Sequence, residues 1–369
     1  MNLPAFLNEQ AYRLVFNRLS SRRPPRPAPI RLGPHSKVLV FSCAGIGDTL
    51  TDSVVFKALA ETWPGIHLAM VVHRRRRMLA DHNPCVNAVF TIEKGPLAFY
   101  KLHKSLKQAG PWDAILQLRG NDPEPRCQGF LLNPDVSVSI PQMTRYGRLC
   151  GHILEQPDWE ENHGVVQTLR MAEYLGAHTT EPHLAYLVNP SERTALESKL
   201  SELGLDPGKQ RIVFQIGGGR RASWRDWPME HYIKLIRLLA ARHDASFILL
   251  GGPDQKKKAS AIQEALALPS VHNLAGQINL AGSAALLQSA ECLISTDTGI
   301  MHLGFAVGTR VVALIHCNNP AHRVGPYGYG DRHRVVQLPR PVDYHSPADA
   351  SMSDIRPEQV LQKIEEILK

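Results

Sequence analysis

Two glycine-bearing loops hold the residues of this 369-residue chain best suited to chemistry. The first, Gly45-Ile-Gly-Asp-Thr49, follows the apolar run Lys37–Ser42. Its glycines let the chain turn tightly, and Asp48 falls at the start of a helix. A carboxylate there can cap the helix, act as a general base, or do both. A dinucleotide fingerprint fails, because its third glycine would fall at Leu50 and the second strand ends in His73 rather than an acid. The second loop is Ser295-Thr-Asp-Thr-Gly-Ile-Met-His302. A strand stops at Asp297, and Thr298-Gly299 open a helix whose free N–H groups form an anion site. The helix dipole adds roughly 0.3–1 kcal/mol toward negative charge, and Gly299 gives a diphosphate room to approach. Asp297 beside a phosphate site is unusual unless it binds ligand hydroxyls or holds the loop. A capping Asp with a core-facing His302 would account for the same residues without any ligand.

Such loops need parallel sheets behind them, since ligands bind beyond the carboxyl ends of parallel strands. The pattern supplies them: short apolar runs alternate with helical periodicity from Lys37 onward, the signature of α/β architecture. Strands are expected at 37–42, 66–72, 88–92 and 113–118, with a weak one at 136–140. Helices are expected at 49–62, 97–108 and 163–176; residues 123–141 give no clear helix. After a helix at 191–204 the order strand, glycine turn, helix restarts. A strand at 211–216 opens onto Gly217-Gly218-Gly219, and a helix runs from Pro228, as first helical residue, to about 243. A strand at 246–250 ends in Gly251-Gly252-Pro253. Helices at 256–267, 279–290 and 298–307, strands at 291–295 and 310–315, and a last helix at 357–368 complete the series. These divide the chain into an extension (1–35), two α/β domains (36–188 and 189–350) and a C-terminal helix (351–369).

Composition narrows the partners. The formal charge is +8, which favours anionic ligands, a phosphate-rich membrane surface or nucleic acid. No aromatic-interleaved basic stripe or helix-turn-helix signature supports nucleic acid. The run His73-Arg74-Arg75-Arg76-Arg77 follows a first-domain strand and reads either as an anion-binding group or as a solvated cationic face. The six cysteines are scattered without a C-x-x-C pair, so reduced thiols in a cytosol are expected rather than disulfides or structural zinc. No carboxylate pair is placed to chelate a metal. No stretch approaches the roughly 18 apolar residues of a membrane span. Residues 3–19 set Phe6, Leu7, Leu14, Val15, Phe16 and Leu19 at helical spacing beside Arg13 and Arg18. That segment is either a basic amphipathic helix on an anionic membrane or a helix docked on its own domain. A Pro-rich connector, SSRRPPRPAPIRLGP, follows it.

Several of these runs together resemble glycosyltransferase family 9, the ADP-heptose:lipopolysaccharide heptosyltransferases. They are Asp297-Thr-Gly-Ile-Met-His-Leu303, Ala306-Val-Gly-Thr-Arg-Val-Val-Ala-Leu314, Pro320 and Gly325-Pro-Tyr-Gly328. Gly45-Ile-Gly-Asp-Thr49 is similar to the family's N-terminal G-x-G-D loop, and Arg225-Asp-Trp-Pro228 to its basic-x-Trp-Pro segment. Gly251-Gly252-Pro253 and His163…Leu175-Gly176 keep the family order, so the likeness spans about residues 37–330. The resemblance implies a GT-B fold, two facing Rossmann-like domains with parallel sheets. It implies a catalytic base at Asp48 and acceptor contacts from Gly45, Gly47, Arg74 and Arg119. Donor contacts are implied for Gly217, Gly218, Arg225, Pro253, Ile278, Asp297, Thr298, Gly299 and His302. Where the family often has Lys, Arg225 keeps the charge and adds a bidentate fork. The implied partners are a nucleotide-sugar donor, ADP-heptose, and an anionic glycolipid acceptor, with no cofactor, no metal and no nucleic acid. The implied location is cytoplasmic, with a peripheral inner-membrane contact. Two departures stand out: His316-Cys-Asn-Asn-Pro320 replaces the family's Gly-Pro-Thr-x-Pro run, and the N-terminal extension lies outside the common core. The first alternative is a GT-B glycosyltransferase using another nucleotide sugar and a different acceptor, and an epimerase or hydrolase acting on sugar nucleotides is the rival enzyme class. A degenerate binding module would have lost Asp48.

Overall fold

The computed structural model describes residues 32–120, 122–140, 149, 151–154, 161–218 and 220–369, with Gln10, Tyr12 and Phe16, and only the backbone at 220–222. Two units divide between Ala185 and Tyr186.

The first unit is built on six parallel strands. These are β1 (Lys37–Phe41), β2 (His67–His73), β3 (Ala88–Ile92), β4 (Ala114–Gln117), β5 (Val136–Ser139) and β6 (His152–Ile153). Their spatial order is β3-β2-β1-β4-β5-β6. Val38–Phe41 are buried throughout, as a strand covered on both faces requires. The helices are α1 (Ile46–Thr51), α2 (Ser53–Thr62), α3 (Arg77–Asp81), α4 (Pro96–Ala109), α5 (Pro123–Leu132) and α6 (Gly164–Tyr174). The expected helix at 49–62 is thus two helices broken at Asp52, and it starts earlier, with Gly45 as N-cap. Helix α5 has no counterpart among the expected elements. Its inward side carries Glu124, Arg126 and Gln128, so its polar and apolar residues do not separate into the pattern a sequence reading seeks. Tyr12 stacks on Phe16 and lies against Phe99 of α4, while Phe16 meets Phe130 of α5 edge-on. At its described positions the N-terminal segment therefore turns its aromatic side onto its own unit. The rest of residues 3–19 and most of the Pro-rich connector lie outside the described residues.

The second unit repeats the plan. It contains α7 (Pro190–Glu202), β7 (Gln210–Gln215), α8 (Met229–Ala240), β8 (Ala245–Leu250), α9 (Lys256–Leu266) and β9 (Val271–Asn273). It continues through α10 (Leu280–Ser289), β10 (Cys292–Thr296), α11 (Gly299–Val307), β11 (Val311–Ile315), α12 (Ala321–Val324), β12 (Arg334–Gln337) and α13 (Pro357–Leu368). All six strands are parallel, in the order β12-β11-β10-β7-β8-β9. Read from the other end, that is the order of the first sheet. Pro228 is the N-cap of α8 rather than its first residue. The short strands β6, β9 and β12 have no counterpart among the expected elements, being too brief to show alternation. Trp227 of the Trp-Pro segment is fully buried among Phe214, Tyr232 and Phe247 and donates its indole N–H to the Ile355 carbonyl at 2.9 Å. It ties the run into α13 to the core, which Val360, Leu361, Ile364 and Ile367 then enter.

In each sheet the chain first builds outward in one direction and then returns to build in the other. The reversal falls between β1 and β4 in the first sheet and between β7 and β10 in the second. Loops leaving those strand pairs diverge there and open a crevice at the carboxyl edge.

Candidate functional site

The first reversal point brings together residues from β1 and β4. Asp48 is the third residue of α1, not its cap. Its Oδ2 accepts the Gly45 N–H at 3.0 Å, and its Oδ1 accepts from Arg119 Nη1 at 2.9 Å. Arg119 follows β4, and its Nη2 also donates to the Gly164 carbonyl at 2.7 Å, at the start of α6. The Asp48 side chain is 42% exposed, whereas that of Arg119 is largely buried. The Asp48 carboxylate is thus fixed by a backbone amide and a guanidinium while keeping access to solvent. Gly47 lies between, its carbonyl accepting from Thr51. Arg74 follows β2, the strand next to β1, is 76% exposed and pairs with Glu93 at 3.4 Å rather than with Asp48 or Arg119.

One helical turn beyond Asp48 lies a second acid that the sequence reading passes over. Asp52 is fully buried; its Oδ2 accepts from Ser42 Oγ at 2.6 Å, and its Oδ1 has no partner. Burial pushes its pKa up to about 7, and neighbouring Asp48 adds to this, against the opposing pull of Arg119 and the Ser42 hydroxyl. A carboxyl raised in the folded state gives stability that is complete below its ordinary value of 3.8 and lost as pH rises to about 7. Each pK unit corresponds to about 1.4 kcal/mol. Thermal unfolding at pH 5 and pH 8 should therefore show Asp52→Asn losing less stability than the parent across that interval. Equal losses would mean that Asp52 does not titrate there.

The second reversal point is denser. Asp297 follows β10 and is buried. Its Oδ2 accepts from Arg225 Nη1 at 2.7 Å and from Asn319 Nδ2 at 2.7 Å, and its Oδ1 is 3.8 Å from His302 Nε2. Arg225 Nη1 also donates to the Asp297 carbonyl at 2.8 Å. Burial alone would raise the Asp297 pKa, but His302, Arg225 and Asn319 outweigh it and hold the carboxyl below its usual range. Arg225 lies over the Trp224 ring, which meets His316 edge-on. Thr298, not Asp297, is the N-cap of α11, and Gly299 is its first residue.

The glycine turn after β7 sits beside this start: a Cβ on Gly218 would lie 3.3 Å from the Thr298 methyl. The Gly218 N–H donates to Asp226 at 2.8 Å. A Cβ on Gly217 would collide with Gln255, and one on Gly276 with Pro253. The turns after β7, β8 and β9 therefore form a continuous rim that includes Pro253. Ile278 lies just beyond Gly276, packed against Gly282. Gly219 lies outside the described residues. Three buried polar atoms here have no partner: Arg225 Nε, Gln215 Oε1 and Thr296 Oγ1. Native interiors rarely leave such groups unsatisfied.

A model of glycosyltransferase family 9 (heptosyltransferase) matches residues 152–346, more than half of the chain. The chain belongs to glycosyltransferase family 9. Among family relatives, lipopolysaccharide heptosyltransferase 1 of Escherichia coli K12 is 26% identical over 324 residues, covering 82% of this chain and 94% of that protein. Lipooligosaccharide heptosyltransferase 2 of Haemophilus influenzae is 25% identical over 198 residues, 51% of this chain and 56% of that protein. The solved structure of E. coli ADP-heptose lps heptosyltransferase II superposes with a TM-score of 0.74 at 21% identity, covering 90% of this chain and 98% of that one. The α/β fold with two parallel six-stranded sheets is thus the GT-B-like fold of the family. Among the described residues no helix is long and apolar enough to cross a membrane, and no group of three or more His, Cys, Asp or Glu side chains could hold a metal ion. None of the five described cysteines forms a disulfide with another described residue.

Asn319 and Asp226 are the contributors that sequence reasoning misses at this site. Asn319 lies in the run where the chain departs from the family pattern, but nothing in the sequence says which of the two asparagines reaches Asp297.

Proposed function

We propose that this protein is an inverting glycosyltransferase that moves heptose from ADP-heptose onto an anionic lipopolysaccharide-core acceptor in the cytoplasm. The observation that carries the reading is that each sheet's reversal point holds an Asp–Arg pair, Asp48–Arg119 in one and Asp297–Arg225 in the other. In this reading Asp48 takes the proton from the acceptor hydroxyl. The oxygen attacks the anomeric carbon on the side opposite the diphosphate, the bond to the phosphate oxygen breaks, ADP leaves and the configuration inverts. Charge growing on the leaving diphosphate is met by the amides at Thr298–Gly299, by the Gly217–Gly219 turn and by Arg225. Groups already aimed at developing charge need no reorganisation as the bond breaks. The unpartnered Arg225 Nε supports an anion beside it. Asp297, braced by Asn319, would read donor hydroxyls, with Pro253 and Ile278 lining the nucleoside end. Gly45, Gly47, Arg74 and Arg119 would serve the acceptor. No cofactor or metal enters the scheme.

Incubation with a panel of nucleotide sugars, with and without a Kdo-lipid acceptor, tests this. ADP release is expected with ADP-heptose only when acceptor is present, to persist in EDTA, and to give a product of inverted anomeric configuration. ADP release without acceptor would point to a hydrolase, and a changed sugar without acceptor to an epimerase.

A further inference from the structure

The Gly218 amide, which the proposed diphosphate would use, is already taken. Gly218 is exposed, and its N–H donates to an Asp226 carboxylate oxygen at 2.8 Å. A Cβ on Gly218 would lie 3.3 Å from the Thr298 methyl and 3.6 Å from Asp226 Oδ1. The glycine therefore sits between this carboxylate and the N-cap of α11. Backbone amides at such a helix start suit an anion, and Asp226 is an anion that the chain itself supplies. Its neighbour Arg225 turns to the Asp297 carboxylate and carbonyl instead. Lys258 is near enough to feel the Asp226 charge, yet its amine donates to the Trp227 carbonyl at 3.1 Å. The Asp226 carboxylate is thus spent on a backbone amide rather than on either of these cations.

The backbone around Asp226 is pinned on both sides. Its own N–H donates to the Ser223 carbonyl at 3.0 Å, Arg225 is held at Asp297, and Trp227 is fully buried. What can move is the side chain, by a change of rotamer, and that movement frees the Gly218 amide without shifting the turn. We propose that Asp226 is a built-in competitor of the donor: its carboxylate occupies the Gly218 amide until a diphosphate displaces it. The inference rests on the reading of this loop as the donor site and says how tightly that site holds its ligands. A nucleotide sugar carries its diphosphate as a diester, whereas the free diphosphate left after transfer ends in a phosphate that ionises a second time near pH 6. The product is therefore the more negative of the two, and a carboxylate returning to the amide repels it more strongly than it repels the donor. Asp226 in this way weakens the grip on both ligands and favours release of the spent one.

Calorimetry with ADP on the full-length chain tests it, comparing the parent with Asp226→Asn and Asp226→Ala. A ligand that must displace an internal partner loses affinity in proportion to the fraction of molecules whose site is free, so a site free in roughly one molecule in ten binds about tenfold more weakly. Asp226→Asn removes the charge but keeps an oxygen that can accept the Gly218 N–H, and Asp226→Ala removes both. Each should bind ADP about tenfold more tightly than the parent, with a gain that shrinks as salt is raised. A residue that only ties the turn would give unchanged affinity in Asp226→Asn and weaker binding in Asp226→Ala. That result, with ADP still bound by the parent, overturns this inference and leaves the donor reading standing. Absence of ADP binding in the parent and in both variants overturns the two together.

Discussion

Asp48→Asn is expected to cut turnover by about 10²–10⁴-fold, the range that general-base help supplies, while ADP binding stays near normal. An amide is almost the same shape as a carboxylate, so α1 should keep its start. The carbonyl oxygen of the substituted side chain can still accept the Gly45 N–H, as the Asp48 carboxylate does. What is lost is the ability to take a proton, together with the charge that pairs with Arg119. ADP affinity, measured by calorimetry, separates chemistry from folding because its proposed contacts all lie in the second unit. Near-normal turnover in this variant would remove Asp48 from the mechanism.

Asp297→Ala is expected to weaken binding of ADP and of the nucleotide sugar by roughly 10–100-fold, the equivalent of one or two charge-assisted hydrogen bonds. The loss comes from position as much as from contact. Asp297 anchors Arg225 through both its carboxylate and its carbonyl, and Asn319 through its carboxylate. Truncation leaves the half-buried guanidinium only the backbone carbonyl and takes the carboxylate from the Asn319 amide, so the proposed phosphate contact loses its aim. Calorimetry showing unchanged ADP affinity would count against the assignment of this loop to the donor.

The strands that build both reversal points are legible because each is a short, largely apolar run with a glycine within four residues of its end, the pattern of a parallel strand buried on both sides. The loops are legible for a related reason: glycines punctuate them, and at Gly45 a Cβ would lie 2.9 Å from the Asp48 carboxylate. Helix α5 is not legible, since Glu124 and Arg126 point inward and defeat any reading based on apolar spacing. Cap assignments slip by one to three residues because Asp48 and Asp297 are good capping types, yet Gly45 and Thr298 hold those positions. Nor can the sequence reveal which residues share a partner. The family likeness points Arg119 at the acceptor, but its contact with Asp48 joins positions 71 apart, and Asn319 reaches Asp297 only because β10 and β11 are neighbours. Asp52 is in plain view, four residues after Asp48, but only burial gives it an unusual pKa.

The hydrogen bond from Arg119 to the Gly164 carbonyl has an effect out of proportion to its size. A methyl group on residue 164 would come within 2.7 Å of Nη2 and 3.3 Å of Nη1 of that arginine. The tip of a long side chain can swing aside, so the unit would tolerate alanine there with little loss of folding. Swinging aside, however, takes Nη1 off Asp48. The aim of the proposed proton acceptor at the front of the chain thus hangs on a missing side chain at the head of a distant helix, where replacement is expected to cost turnover more than stability.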